Sequence, residues 1–205
     1  MDFEMQNFWS IKHTEGDIRS LSGNGYITIF YLHLDDVFPK ADRILNIGVG
    51  TGKFEKACVQ AGKKVDSVDI TPHANLCIQD TSEYFYCGEQ LQYIEANKYD
   101  LITELLVAQH ISDEELEKHI KYAISGLKKT GIFAIQSPDY MKPVDLELDK
   151  QMRTTKFLQG GRVCRNEEWF KKIADKYGGK VLSKHRVWLF PEFNMIWYTY
   201  HIGRK

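Results

Sequence analysis

The chain has 205 residues, with 27 Lys and Arg against 28 Asp and Glu, and it is 43% hydrophobic. That is enough apolar material for one packed domain, which excludes global disorder. A net charge of -1 excludes an electrostatic grip on nucleic acid or an anionic membrane as the main task.

The opening stretch, MDFEMQNFWS, lacks the charged-then-apolar pattern of a secretory signal, and no apolar run is long enough to span a bilayer. Cys58, Cys77, Cys87 and Cys164 are widely spaced, with no CxxC. They read as free, buried or half-buried thiols, without a disulfide framework or a metal site. A cytoplasmic location is expected.

Residues 26–38 carry apolar side chains at helical spacing and stop at Pro39. A short apolar run follows at 43–47, then a helix over 53–62 ending at Gly62. Residues 64–70 alternate as a strand. Short strands are expected at 84–87 and 99–104. Ser112 and Glu115 form an S-x-x-E capping box for a helix over 113–128, with Lys128 and Lys129 at the negative end of its dipole. Residues 131–136 read as a buried strand. Residues 166–177 form a second amphipathic helix, stopped by Gly178-Gly179. Two strands, 180–190 and 194–202, close the chain as an antiparallel hairpin around Pro191. This alternation predicts an α/β fold with a mostly parallel sheet, whose ligands bind outside the carboxyl ends of the strands.

The sharpest motif is LNIGVGTGK, residues 45–53, between a strand and a helix. Gly48, Gly50 and Gly52 allow a tight turn and close approach of a ligand to the backbone. Asp69 ends the next strand, where a carboxylate can accept both hydroxyls of a ribose. The third glycine comes one residue too early for a dinucleotide motif.

That spacing resembles motif I of class I S-adenosylmethionine-dependent methyltransferases, with Asp69 as the motif II acid. Further stretches resemble the protein α-N-terminal methyltransferase family. They are Phe8-Trp9 with SLSGNGYI (20–27), VDIT (68–71), YFYCGEQ (84–90), YDLI (99–102), VAQHISD (107–113) and VCRNEEWFKKIADKYG (163–178). The resemblance implies a Rossmann-like seven-stranded sheet with helices on both faces. It implies a single methyltransferase domain over 1–205, with residues 1–40 covering the cofactor and acceptor and residues 138–165 forming a lid.

It also implies S-adenosylmethionine held by Gly48, Gly50, Gly52, Lys53, Asp69, Ile70, Gln90 and Leu105. Acceptor-side walls would be Trp9, Tyr26, Leu106 and Pro138. His110 and Glu168, with Glu167 beside it, are the candidate catalytic groups.

Four positions depart from the family. Lys53 stands where the family has an arginine, keeping the charge but losing the bidentate fork. Leu105 and Leu106 replace a glutamine and a tryptophan, and Pro138 replaces an asparagine. The expected activity is N-methylation of an amine such as a protein or peptide N-terminus. The alternatives are methylation of a small metabolite, or a cofactor-binding module without turnover.

Overall fold

The computed structural model describes residue 10 and residues 25–140, 163–187 and 195–205. Trp9, the side chain of Tyr26, most of the expected lid and the turn at Pro191 lie outside the described residues.

The described residues include the helices α1 (Gly25–Tyr31), α2 (Lys53–Gln60), α3 (Asp113–Gly126) and α4 (Glu167–Lys176). The strands are β1 (Arg43–Ile47), β2 (Lys64–Asp69), β3 (Tyr84–Cys87), β4 (Tyr99–Glu104), β5 (Leu127–Tyr140), β6 (Gly179–Val187) and β7 (Met195–Arg204). They form one seven-stranded sheet in the order β3-β2-β1-β4-β5-β7-β6. The pairs from β3 through β5 are parallel, and β7 runs antiparallel between β5 and β6.

Side-chain alternation distributes the core. Leu45, Ile47, Ile102, Phe133 and Ile135 pack on one face with Leu116, Ile120, Phe170 and Ile173 of α3 and α4. Ile44, Leu101 and Ala134 pack on the other with Leu34, Phe38, Phe54 and Cys58. Residues one apart on a strand thus feed two separate cores, as the pleat requires. The strand order reverses at β1, between β2 and β4, so the crevice above these carboxyl ends is the expected ligand position.

Three expectations need correction. The helix expected over 26–38 ends at Tyr31, and His33 turns left-handed at φ 51°. The apolar spacing continues because Leu32 and Leu34 still reach the core. The carbonyls that end the helix are taken by the sheet: Thr199 Oγ1 donates to Tyr31 O at 2.7 Å, and His201 Nε2 to Leu32 O at 2.7 Å. Pro39 lies inside a short 3-10 turn, Phe38–Lys40.

The helix expected over 113–128 ends at Gly126, and Lys128 and Lys129 already belong to β5. They do not serve its dipole; Lys128 Nζ instead bonds Asp100 Oδ1 at 2.7 Å. A Cβ at Gly126 would lie 3.3 Å from Tyr99 Cδ2 of β4, so glycine lets the helix end pack closely on the sheet. At the other end Ser112 Oγ caps Glu115 N at 3.2 Å, while Glu115 turns to Lys118. The strand expected at 131–136 is longer at both ends, because β5 pairs with β4 and β7 together.

Candidate active site

The turn after β1 is built on three left-handed glycines: Gly48 (φ 87°), Gly50 (55°) and Gly52 (72°). Space adds to the demand. A Cβ at Gly48 would lie 2.4 Å from Val107 Cγ2, and one at Gly52 2.4 Å from Cys77 O. Gly52 is the N-cap of α2, and no side chain caps that helix. Its first amides therefore face the crevice as donors. Lys53, half-buried, is the first residue of α2.

Asp69 ends β2 and is 9% exposed. Its Oδ2 accepts Val49 N at 2.9 Å and its Oδ1 accepts Thr71 N at 3.1 Å. The carboxylate thus ties the glycine turn to the strand end, and a carboxylate oxygen can accept more than one hydrogen bond. Ile70 is half-buried beside it. Gln90 is exposed, with its Oε1 on Cys87 N at 2.8 Å. Ser10 brings one residue of the N-terminal stretch to this edge, 2.7 Å from Thr71 Oγ1. Gly48, Gly50, Gly52, Lys53, Asp69 and Ile70 thus gather at the ends of β1 and β2. Gln90 lies past β3, and Leu105, half-buried, past β4.

Beneath the turn lies a polar network that the sequence reading missed. Glu55, fully buried on α2, accepts Asn46 Nδ2 at 2.7 Å and Ser67 Oγ at 3.1 Å. Asn46 also donates to Gly48 O at 3.2 Å and accepts Thr103 Oγ1 at 2.8 Å. Burial pushes the Glu55 carboxyl up to about 7 against the opposing hydrogen bonds, and the nearby Asp69 charge adds to the rise. The folded chain therefore binds this proton more tightly than the unfolded one. Glu55 stabilises the fold in full below its ordinary value of 4.5, and that contribution is lost as pH climbs to about 7. The loss should approach about 3 kcal/mol. Glu55→Gln should remove this slope, so urea unfolding at pH 5 and pH 8 should differ less than in the wild type. Identical slopes would assign the dependence to another group.

The residues expected on the acceptor side follow β4. Leu106, half-buried, is a non-glycine residue at φ 59°, a conformation retained where the surroundings enforce it. Ala108–His110 form a 3-10 turn, with His110 half-buried. Gln109 Nε2 bridges Leu106 O at 2.8 Å and His110 Nε2 at 3.1 Å.

Arg165, fully buried, clamps this turn. It donates to Asp113 Oδ1, Ala108 O and Ile111 O, each at 2.7 Å. Its own amide reaches Pro138 O at 2.9 Å, and Val163 N reaches Gln109 O at 2.9 Å. Pro138 itself is buried in β5 opposite Trp197. Glu104, fully buried at the end of β4, accepts from His119 Nδ1 at 3.1 Å.

Glu168 lies in the first turn of α4. Its side chain is 78% exposed and paired with Lys171 of its own helix at 3.1 Å. Glu167 pairs with Lys171 and Lys184. Arg165 and Gln109 escaped the sequence reading. The one available signal was a polar side chain inside an apolar stretch, VCR and VAQHI.

An open cleft of about 590 Å³ lies at the β3 edge, lined by Tyr84, Tyr86, Tyr93 and Gln90 among others. It shares Gln90 with the expected cofactor residues but contains neither the glycine turn nor His110. Among the described residues, no group of three or more His, Cys, Asp or Glu is placed to hold a metal ion. None of their helices is long and apolar enough to cross a membrane.

The family described as AdoMet dependent proline di-methyltransferase matches residues 17–202. N-terminal Xaa-Pro-Lys N-methyltransferase 1 of Xenopus tropicalis is 28% identical over 162 residues, covering 72% of this chain and 66% of that protein. Its Homo sapiens counterpart is 26% identical over 157 residues, with the same coverage. The match thus spans just under two thirds of these relatives' length.

Among solved structures, the 1,6-didemethyltoxoflavin-N1-methyltransferase of Burkholderia thailandensis has a TM-score of 0.66 at 17% identity. It covers 97% of this chain and 85% of that one. A putative sarcosine dimethylglycine methyltransferase from Galdieria sulphuraria has a TM-score of 0.64 at 16% identity, with 87% and 84% covered. At these identities the likeness shows a shared fold.

Proposed function

The chain belongs to the AdoMet-dependent proline di-methyltransferase family, and from that premise we propose that it N-methylates the α-amine of a protein or peptide N-terminus. The observation that carries this reading is the left-handed glycine turn tied to Asp69 at the reversal of strand order. This cradle fits S-adenosylmethionine. Asp69 would hold the ribose, Lys53 the carboxylate, and Ile70, Gln90 and Leu105 the remaining walls. When bound, the cofactor supplies an activated methyl group.

The chain's own task is then to align the acceptor nitrogen and to take its proton. An α-amine, with a pKa of about 7.7 to 8.0, has a useful neutral fraction near pH 7. Alignment therefore supplies much of the rate. His110, on the turn after β4, is the proton acceptor. Leu106 and Pro138 flank the acceptor. Trp9 and Tyr26 remain the further acceptor-side walls that the family resemblance implies. Glu168, exposed and already paired, suits attraction of a basic peptide better than proton transfer, and is the second group to test. The relatives' names specify Xaa-Pro-Lys termini, a basic acceptor of this kind.

The four cysteines are free, and burial raises the thiols of Cys58, Cys77 and Cys87. That agrees with a reducing, cytoplasmic setting.

Calorimetry with S-adenosylmethionine, followed by mass spectrometry of Xaa-Pro-Lys peptides, tests the reading. Asp69→Ala should weaken cofactor binding by about 1 to 3 kcal/mol, because it removes the ribose acceptor and strands the Val49 and Thr71 amides. Unchanged affinity would remove Asp69 from the site. Cofactor binding with methylation only of small amines or hydroxyls would move the acceptor to a metabolite. Binding without turnover on any acceptor would leave a binding module.

A further inference from the structure

Gln109 is 3% exposed, and its amide nitrogen makes both of its hydrogen bonds around one turn. Leu106 O can only accept, so the amide must present its NH₂ end there. The same nitrogen then offers its second hydrogen to His110 Nε2, which must be the unprotonated ring nitrogen. Gln109 Oε1 is buried and has no hydrogen-bond partner among the described residues. A buried orphan beside a left-handed leucine is a costly arrangement to retain without a role.

We propose that Gln109 is a positioning residue that sets the tautomer of His110, holding the proton on Nδ1 and the lone pair on Nε2. The inference rests on His110 being the acceptor-side base. In the proton step, an N–H bond of the acceptor breaks and its electron pair stays on nitrogen. Gln109 swings aside to release the single lone pair of His110 Nε2, an N–H bond forms there with the acceptor's proton, and the imidazole becomes imidazolium. Once the acceptor departs, that new N–H faces the NH₂ of Gln109. Rotating the amide by half a turn presents Oε1, the orphaned oxygen, to accept it. The same rotation breaks the bond to Leu106 O. Gln109 therefore favours neutral His110 in the resting enzyme and couples its protonation to the strained backbone of Leu106.

The other charged groups around the turn come from three elements. Arg165 holds the carbonyls of Ala108 and Ile111, and Asp113 at the start of α3 offsets its charge. From β4, Glu104 is paired with His119. Each is already engaged, and among the described residues Gln109 is bonded to the imidazole Nε2.

The test is a histidine-resolved ¹⁵N NMR titration of the unliganded full chain, with His110 assigned by its loss in His110→Gln. The wild type should show an unprotonated Nε2 at neutral pH. In Gln109→Glu, a carboxylate beside Nε2 should raise the His110 titration by about 1 to 2 pH units. Gln109→Leu, which removes the donor without adding charge, should raise it less. The acid limb of the transfer rate on an Xaa-Pro-Lys peptide should move by the same amount. A purely structural Gln109 would lower the melting temperature and leave tautomer and titration unmoved. That result, or a protonated Nε2 in the wild type, would overturn the inference. A shifted titration with an unmoved rate limb would leave Gln109's role intact and remove His110 as the base. If Gln109→Glu does not fold, the Leu variant and the wild-type tautomer still decide.

Discussion

Replacing His110 with alanine is expected to lower the methyl-transfer rate by about 10²- to 10⁴-fold at neutral pH, the span of a positioned base. S-adenosylmethionine affinity should stay near wild type, because His110 follows β4 and the glycine cradle lies on β1 and β2. The loss should shrink as pH rises past the acceptor's own pKa of about 8, where the free amine supplies its lone pair unaided. A hydroxyl acceptor, titrating far higher, should show no such rescue. Rate against pH for wild type and His110→Ala on one verified peptide therefore tests the residue and the acceptor class together. Full activity of the variant at pH 7 would mean that alignment alone carries the reaction.

Arg165→Met is expected to cost about 3 to 5 kcal/mol in unfolding free energy, the range for breaking a buried charged contact. The guanidinium is fully buried and bonded at 2.7 Å to Asp113, Ala108 O and Ile111 O. Methionine fills the volume but strands two carbonyls and one carboxylate. Arg165→Lys should recover only part, because an ammonium cannot serve three acceptors with the geometry of the planar fork. Asp113→Asn should cost less, since the Asp113 side chain is 33% exposed and water can replace its partner. Urea unfolding of the three variants gives the order directly. A loss under about 1 kcal/mol for Arg165→Met would show that the turn holds its shape without the clamp.

These two residues differ in how they could be found. His110 is legible as a candidate because its segment, VAQHISD, resembles a family motif and precedes a capped helix. Arg165 sits 52 residues from the aspartate it holds. No local pattern marks an arginine that will be buried, because burial of a charge depends on partners brought from elsewhere.

Local sequence determined the elements whose causes are local. The glycines at 48, 50 and 52 dictated a left-handed turn, since side chains are disfavoured at those dihedrals. Asp69 followed from the strand it ends, and Ser112 from its cap on α3. The alternation of strands and helices sufficed for the α/β class and for the antiparallel close. Tertiary structure decided what needs two distant segments at once. Helix α1 stops at Tyr31 because Thr199 and His201 take the carbonyls that would continue it. Lys128 leaves its helix because β5 must start beside Tyr99. Glu55 is held protonated toward neutral pH by burial under the turn. His110 acquires its tautomer only when the backbone at Leu106 turns left-handed and places a carbonyl where Gln109 must bridge. Periodicity reports which face is apolar. It does not report which buried polar atoms will meet, because those encounters are settled by packing across the sheet.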